Sequence, residues 1–342
     1  MKVGVCDYPS AYAFPPYGYG GIERWLWAVA VGAQQAGAEV HLIGPAWRRD
    51  LPDGFDRLSA RLEDLSSRDD GFDQLKRLGL DLLVVGHEYP SLPTWRSTWS
   101  MLGNRVVTFQ HDPNFRHLPD AFDGNRSRLF CYSPEMVERY AADRPAQTLS
   151  VQFGLGEETP QPAVSGNELV WLGRIDGQKA PHLAIEAARQ LGRTIRLIGP
   201  VLDHDYAAQH AAQLQASHVE LVGELSGEDK LQALREARVL VYTCAPDYVE
   251  AGAAVFGESL RCGTPVAALV WRAGTCAQVA LCERSGAVVQ ADKGADEAEA
   301  ATRLAEAIVA AEQLDARDVQ EIGLTRFSPE AHFRVLASGN GG

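Results

Sequence analysis

Short apolar runs and amphipathic stretches alternate along almost the whole chain. Residues 3–6 form a strand-like run, Ile22, Leu26, Val29 and Ala33 then recur at helical spacing within 22–36, and 39–43 returns to a strand pattern. Gly37 falls where a helix C-terminus favours glycine. The segment therefore reads as strand, helix, strand, with the helix laid on a sheet. Further strands are predicted at 80–85, 105–109, 128–132 and 149–153. Each is mainly apolar and reads as a buried parallel strand.

Between residues 154 and 166 the pattern lapses into turn formers, which predicts a linker. The alternation then restarts, with strands at 169–172, 194–198, 219–222 and 239–242 and helices at 181–191, 229–237 and 296–312. Ser328-Pro329-Glu330 is a cap followed by proline at the first helical position, and opens a terminal helix. Two α/β domains, 1–155 and 166–327, account for the pattern, with 328–342 a helix packing back on the first. The length of 342 residues agrees, since single cores stop growing near roughly 250 to 300 residues.

Composition narrows the partners. The net charge of −13 would repel nucleic-acid phosphates and anionic lipid headgroups, leaving small molecules as the expected partners and one local basic pocket for an anionic ligand as compatible. Cys6, Cys131, Cys244, Cys262, Cys276 and Cys282 show no C-x-x-C pair and no zinc spacing, so buried free thiols and no metal site are expected. The chain enters its first strand without a signal-peptide pattern. It holds no apolar run of roughly 18 residues for a membrane span, so a cytoplasmic protein is expected. Oligomeric state is not legible.

Three segments carry candidate chemistry. Tyr17-Gly18-Tyr19-Gly20-Gly21-Ile22-Glu23-Arg24 opens the first helix and turns backbone N–H groups and a positive dipole end toward whatever lies above the first strand. Its glycines are not spaced as a dinucleotide fingerprint, which demotes NAD. Gly173-Arg174-Ile175-Asp176-Gly177-Gln178-Lys179 follows a predicted strand and delivers two cations to the C-terminal edge of a parallel sheet. There a guanidinium and an ammonium suit a diphosphate leaving group and can replace a metal ion, although in many loops such residues are only solvated. Glu250 and Glu258 are separated by seven residues within an apolar stretch that runs into Gly263-Thr264-Pro265-Val266. With Glu250 in a loop and Glu258 in the following helix, both could face one cleft, one gripping sugar and the other ribose hydroxyls.

Taken together, the Gly-Gly-Ile-Glu-Arg loop, Gly-Arg-Ile-Asp-x-x-Lys and Glu-x7-Glu followed by Cys-Gly-Thr-Pro-Val resemble family 4 retaining glycosyltransferases. The resemblance spans nearly the whole chain. It implies a GT-B fold, α/β, with two Rossmann-like domains facing each other across a cleft, the first for the acceptor and the second for a nucleotide-diphosphate sugar. It further implies that Arg174 and Lys179 neutralise the diphosphate, that Glu258 holds the ribose, and that Glu250 contacts the transferred sugar. Gly20 and Gly21 would approach phosphate or acceptor by backbone, Gly173 opens the cationic loop, and Gly223-Glu224-Leu225 would embrace the base. His111 matches the family's histidine near the reacting sugar, although a lone histidine at a strand end is otherwise a core or capping residue. His87-Glu88 is placed on the acceptor side. No obligate metal or other cofactor is implied.

Ala251-Gly252-Ala253 stands where the family usually has Pro-Phe-Gly, so the contacts to the donor sugar are expected to differ. Trp25, Trp27, Trp47, Trp95 and Trp99 are expected to pack rather than to bind sugar. An alanine- and arginine-rich composition with several tryptophans in the first domain fits a secondary-metabolite acceptor and an antibiotic-pathway role. The competing readings are a nucleotide-sugar epimerase or a phosphorylase on the same fold, a nonenzymatic nucleotide-binding protein, and an NAD oxidoreductase. Product analysis and NAD binding separate them.

Overall fold

The structure is a computed structural model that describes residues 1–17, 20–61, 65, 70–86, 93–118, 120–142, 147–148, 164 and 166–338. The predicted strand at 149–153, most of the predicted linker and His87-Glu88 lie outside the described residues. The chain divides into two compact units, Met1–Glu158 with Ser328–Gly342, and Thr159–Phe327.

The first unit runs β1 (Lys2–Cys6), α1 (Gly21–Gln35), β2 (Glu39–Ile43), β3 (Phe55–Leu58), α2 (Asp70–Leu78), β4 (Leu82–Gly86), α3 (Arg96–Leu102), β5 (Val106–Phe109), β6 (Arg128–Cys131), α4 (Pro134–Tyr140) and β7 (Gln147–Thr148). The strands lie in the order β3-β2-β1-β4-β5-β6-β7. All pairs are parallel, with Val3 opposite both Val40 and Leu82. The central strands β1 and β4 are almost wholly buried, which is why they read as unbroken apolar runs. Gly37, at φ 81°, ends α1 in the left-handed turn expected of it. The strand predicted from Leu80 begins instead at Leu82. Leu80 is buried but precedes the strand, and the chain bends at Asp81, whose amide donates to Lys2 O and whose carboxylate accepts from Lys2 N at 2.8 Å.

The second unit runs β8 (Glu168–Leu172), α5 (Pro181–Gln190), β9 (Ile195–Ile198), α6 (His204–Gln209), α7 (Ala211–Leu214), β10 (Val219–Gly223), α8 (Gly227–Arg235), β11 (Ala237–Tyr242), α9 (Ala254–Arg261), β12 (Val266–Val270), α10 (Cys276–Ala280), β13 (Gly286–Gln290), α11 (Glu297–Ala311) and α12 (Ala316–Arg326). Its parallel sheet has the order β10-β9-β8-β11-β12-β13. In both sheets the strand order therefore reverses near the middle, between β1 and β4 in one and β8 and β11 in the other.

The terminal helix α13 (Pro329–Ser338) returns to the first unit and lies on α1. Gly32 makes that approach close, since a Cβ there would stand 2.1 Å from the Pro329 carbonyl oxygen. Trp25, buried in α1, donates from Nε1 to His332 Nε2 at 2.9 Å. Trp27, Trp47 and Trp95 are buried as expected of packing residues. The Trp99 side chain lies outside the described residues.

All six cysteines are free, and five are buried; the expectation of six buried thiols fails at Cys282, which is exposed. It sits in a turn after α10, where Sγ meets Ser285 Oγ at 3.5 Å. Partial burial works to raise its pKa, but the Ser285 hydroxyl, neighbouring backbone N–H groups and Arg326 outweigh that and hold the thiol below its ordinary value. Burial pushes Cys131, Cys244 and Cys262 up to about 12. Alkylation of the native protein at neutral pH should therefore modify Cys282 well ahead of the other five, which peptide mass mapping will read directly.

Candidate active site

A crevice forms in a doubly wound sheet where the strand order reverses, because the loops leaving the two central strands diverge. In the second unit these are the loop after β8, which carries Arg174 and Lys179, and the loop after β11, which carries Glu250. The two are laced together below the crevice. The Ala245 amide donates to Gln178 O at 2.9 Å, Thr243 Oγ1 donates to Lys179 O at 2.7 Å, and Trp171 Nε1 donates to that threonine oxygen at 2.9 Å.

Lys179 points its ammonium at Glu250, to which it donates a charge-assisted hydrogen bond through Oε2. The Tyr242 hydroxyl reaches the same oxygen at 3.3 Å, and the Tyr248 ring centroid lies 5.1 Å from the ammonium. Burial works against the Lys179 charge, but the Glu250 carboxylate outweighs it and holds the pKa above the ordinary lysine value. Lys179 is thus a fixed cation. Burial, seconded by the Glu250 charge, pushes Tyr248 up to about 12 and Tyr242 well above its usual value, so both stay neutral.

Arg174 is braced by Asp176 Oδ2 at 3.2 Å and Gln178 Oε1 at 3.1 Å. Asp176 also accepts from the Lys179 amide at 2.8 Å, tying both cations to one turn. The turn ends at Ala180, whose φ of 47° is unusual for a residue with a side chain, before Pro181 starts α5. Beside Arg174 opens a recess of about 680 Å³, lined further by Gln178, Leu202, Asp203 and His204.

Gly173 begins the cationic loop, and its amide donates to Ile198 O at 3.0 Å. Gly223 ends β10 in a left-handed conformation, with Glu224 exposed and Leu225 half-buried beyond it. Glu258 lies where the sequence predicts, inside α9, but its partner is Lys230 of α8, at 2.7 Å. Each glutamate thus has its own lysine. Roles for Tyr248 and Lys230 had no signal in spacing, and Asp176 stood within the Gly-Arg-Ile-Asp-x-x-Lys motif without a role of its own.

In the first unit Gly20 caps α1 at φ 147°, where a Cβ would meet Pro16 at 2.8 Å, whereas one at Gly21 would meet nothing within 4 Å. Gly20 answers a backbone requirement, and Gly21 leaves open space at the helix start. His111 follows β5 in an aromatic cluster, 4.8 Å from Trp25 edge-on and 5.9 Å from Phe109 stacked. Among the described residues, Glu39, His41 and Asp56 bring ligand-type atoms within 4.8 Å of one another. The imidazole turns Nε2 to Glu39 at 3.1 Å and Nδ1 to Asp56 at 3.8 Å, so each carboxylate faces a different ring nitrogen. None of the described helices is long and apolar enough to cross a membrane.

Residues 159–316, nearly the whole second unit, match the family described as "Glycosyl transferases group 1". No curated protein sequence matches the chain. Among solved structures it resembles AviGT4, a glycosyltransferase involved in avilamycin A biosynthesis, at 19% identity over 99% of this chain and 96% of that one, with a TM-score of 0.69. It also resembles Alr3699/HepE of Anabaena in complex with UDP, at 16% identity over 99% of both chains and a TM-score of 0.64. A third neighbour is WaaG, a glycosyltransferase involved in lipopolysaccharide biosynthesis, at 16% identity over 99% of this chain and 100% of that one, with a TM-score of 0.63. The two parallel α/β units have the architecture of GT-B glycosyltransferases. The family match and these neighbours together indicate a glycosyltransferase.

Proposed function

We propose that the chain is a family 4 retaining glycosyltransferase that takes a sugar from a nucleotide-diphosphate donor and places it on a small-molecule acceptor of secondary metabolism, in the cytoplasm. The observation that carries the donor side is the Lys179 and Glu250 pair beside Arg174 at the reversal point of the family-matched sheet. Two fixed cations meet the charge that develops on a departing diphosphate, without an obligate metal. Glu250 holds hydroxyls of the transferred sugar once the phosphate draws Lys179 away, and Tyr248 shields that exchange from water. Glu258 holds the ribose, while Gly223, Glu224 and Leu225 frame the base. On the first unit, Gly20, Gly21 and His111 serve the acceptor and the reacting sugar. The likeness to AviGT4 supports the secondary-metabolite reading, and the complex of HepE with UDP supports a uridine donor.

Calorimetric titration with UDP, GDP, dTDP and NAD in metal-free buffer tests the donor site. One nucleoside diphosphate should bind, and both Lys179→Ala and Glu258→Ala should weaken it by about 1 to 3 kcal/mol, the worth of a charge-assisted hydrogen bond. Binding of NAD alone would overturn the reading. Retention is read separately, from the anomeric coupling constant in the NMR spectrum of the product.

A further inference from the structure

Glu258 and Lys230 are 6% and 5% exposed, and their charges meet inside the second unit at 2.7 Å. Neither charge would be tolerated there alone, and a buried pair is weak evidence for stability because well-packed apolar residues often serve as well or better. Its place in the fold suggests another use. Glu258 is the fifth residue of α9 and Lys230 the fourth of α8. Both helices follow strands of one parallel sheet and so start at the edge that carries Arg174 and Lys179. At about 1.5 Å per residue, both side chains stand within roughly 8 Å of those helix starts. That is a nucleoside's distance from a diphosphate held at the edge.

We propose that Lys230 is a positioning residue for donor binding: it holds the Glu258 carboxylate ionised and in one rotamer, so that the carboxylate accepts hydrogen bonds from the ribose hydroxyls of a nucleoside diphosphate. The proposal rests on the reading of Glu258 as the ribose-binding residue. A carboxylate accepts from two hydroxyls only while it is ionised and fixed, and in a site this buried the ammonium beside it secures both conditions. A neutral residue at position 230 would leave the carboxylate free to take up a proton or turn away, and the advantage of a ribose over a deoxyribose would go with it.

The test compares calorimetric affinity for UDP with that for 2′-deoxy-UDP, and for GDP with 2′-deoxy-GDP, in the wild type, Lys230→Met, Lys230→Gln, Lys230→Arg and Glu258→Gln, with melting curves recorded for each. The wild type should prefer the ribonucleotide by about tenfold or more, the worth of a hydrogen bond to a charged group. Glu258→Gln should erase that preference, Lys230→Met and Lys230→Gln should cut it to below about threefold, and Lys230→Arg should keep most of it. Should Lys230→Met not fold, Lys230→Gln, which retains a hydrogen-bond donor, carries the test. Folded Lys230→Met or Lys230→Gln protein with undiminished preference, alongside Glu258→Gln protein that has lost it, would overturn the role of Lys230 alone. A preference that survives Glu258→Gln would overturn the ribose reading first. Binding of neither ribonucleotide would overturn the ribose role of Glu258 and with it that of Lys230, and the dTDP titration above would then decide whether the donor site itself stands.

Discussion

Lys179→Met should lower kcat/KM for the nucleotide sugar by about a hundred- to a thousandfold, the usual effect of removing one preorganised charge from a developing anion. The protein should still fold. Lys179 makes its ion pair with side chains 18% and 11% exposed, so its removal leaves Glu250 nearly enclosed beside the Tyr242 hydroxyl. That should destabilise the second unit by about 2 kcal/mol, less than the loss of a wholly buried pair. The double variant Lys179→Met with Glu250→Gln removes the stranded charge and should recover most of the stability. It should recover none of the activity. A double variant as active as wild type would mean that the pair is only a structural brace between the loops after β8 and β11. In Glu250→Gln alone, the ammonium keeps Tyr248 and gains freedom to meet phosphate, so nucleoside diphosphate affinity should hold or rise while turnover falls. Steady-state kinetics, thermal melts and titrations on the same four proteins separate these effects.

The parts of this fold legible in the sequence are those whose burial is carried by apolar side chains. The central strands of both sheets and α1, α5 and α11 repeat Val, Ile, Leu and Ala at the period of their own secondary structure, and their predicted limits fall within two residues of the observed ones. Elements held by other means left no such signal. The edge strand β3 pairs through its backbone, and its two inner residues, Asp56 and Arg57, are exposed. In α12 Val319 and Gly323 are the buried residues, and the helix lies on α9 through Gly323, where a Cβ would stand 2.3 Å from the Leu260 backbone. A glycine contact is invisible to a hydrophobic pattern. The same division holds at the candidate site. Arg174, Lys179 and Glu250 were legible because each sits in a loop that follows an apolar strand and is punctuated by glycine. Lys230 was not, because a lysine in the first turns of a mainly polar helix reads as solvated until the partner helix puts Glu258 against it. Tyr248 was hidden for a related reason, since its role depends on the loop after β11 folding back over Lys179.

A large loss of stability should come from a single methyl group at Gly199. This residue follows β9 at φ 142°, a conformation that side chains rarely adopt. Its amide donates to Gly223 O at 2.8 Å, which fixes it against the end of β10. On its other flank a Cβ would lie 1.8 Å from the Gly173 carbonyl oxygen. No flexible side chain stands there to yield, so the backbone of β8 or β9 must move. Conformational strain and overpacking, each typically about 1 to 3 kcal/mol, together give Gly199→Ala a cost of about 3 to 5 kcal/mol. In a unit of this size that is a fall of about 10 °C in the melting temperature. Gly173 also opens the loop of Arg174 and Lys179, so whatever movement relieves the clash should shift both cations and weaken nucleoside diphosphate binding by about tenfold or more. Gly227→Ala is the matched control. Gly227 is also left-handed, at φ 52°, but a Cβ there would meet nothing within 4 Å, so only the conformational cost of about 1 to 2 kcal/mol applies. If the two alanine variants melt together, strain in φ alone explains Gly199, and the close approach of β9 to the cationic loop contributes nothing. If Gly199→Ala melts well below Gly227→Ala and binds nucleotide less tightly, the loop of Arg174 and Lys179 is held in place by the absence of a side chain at the end of the neighbouring strand.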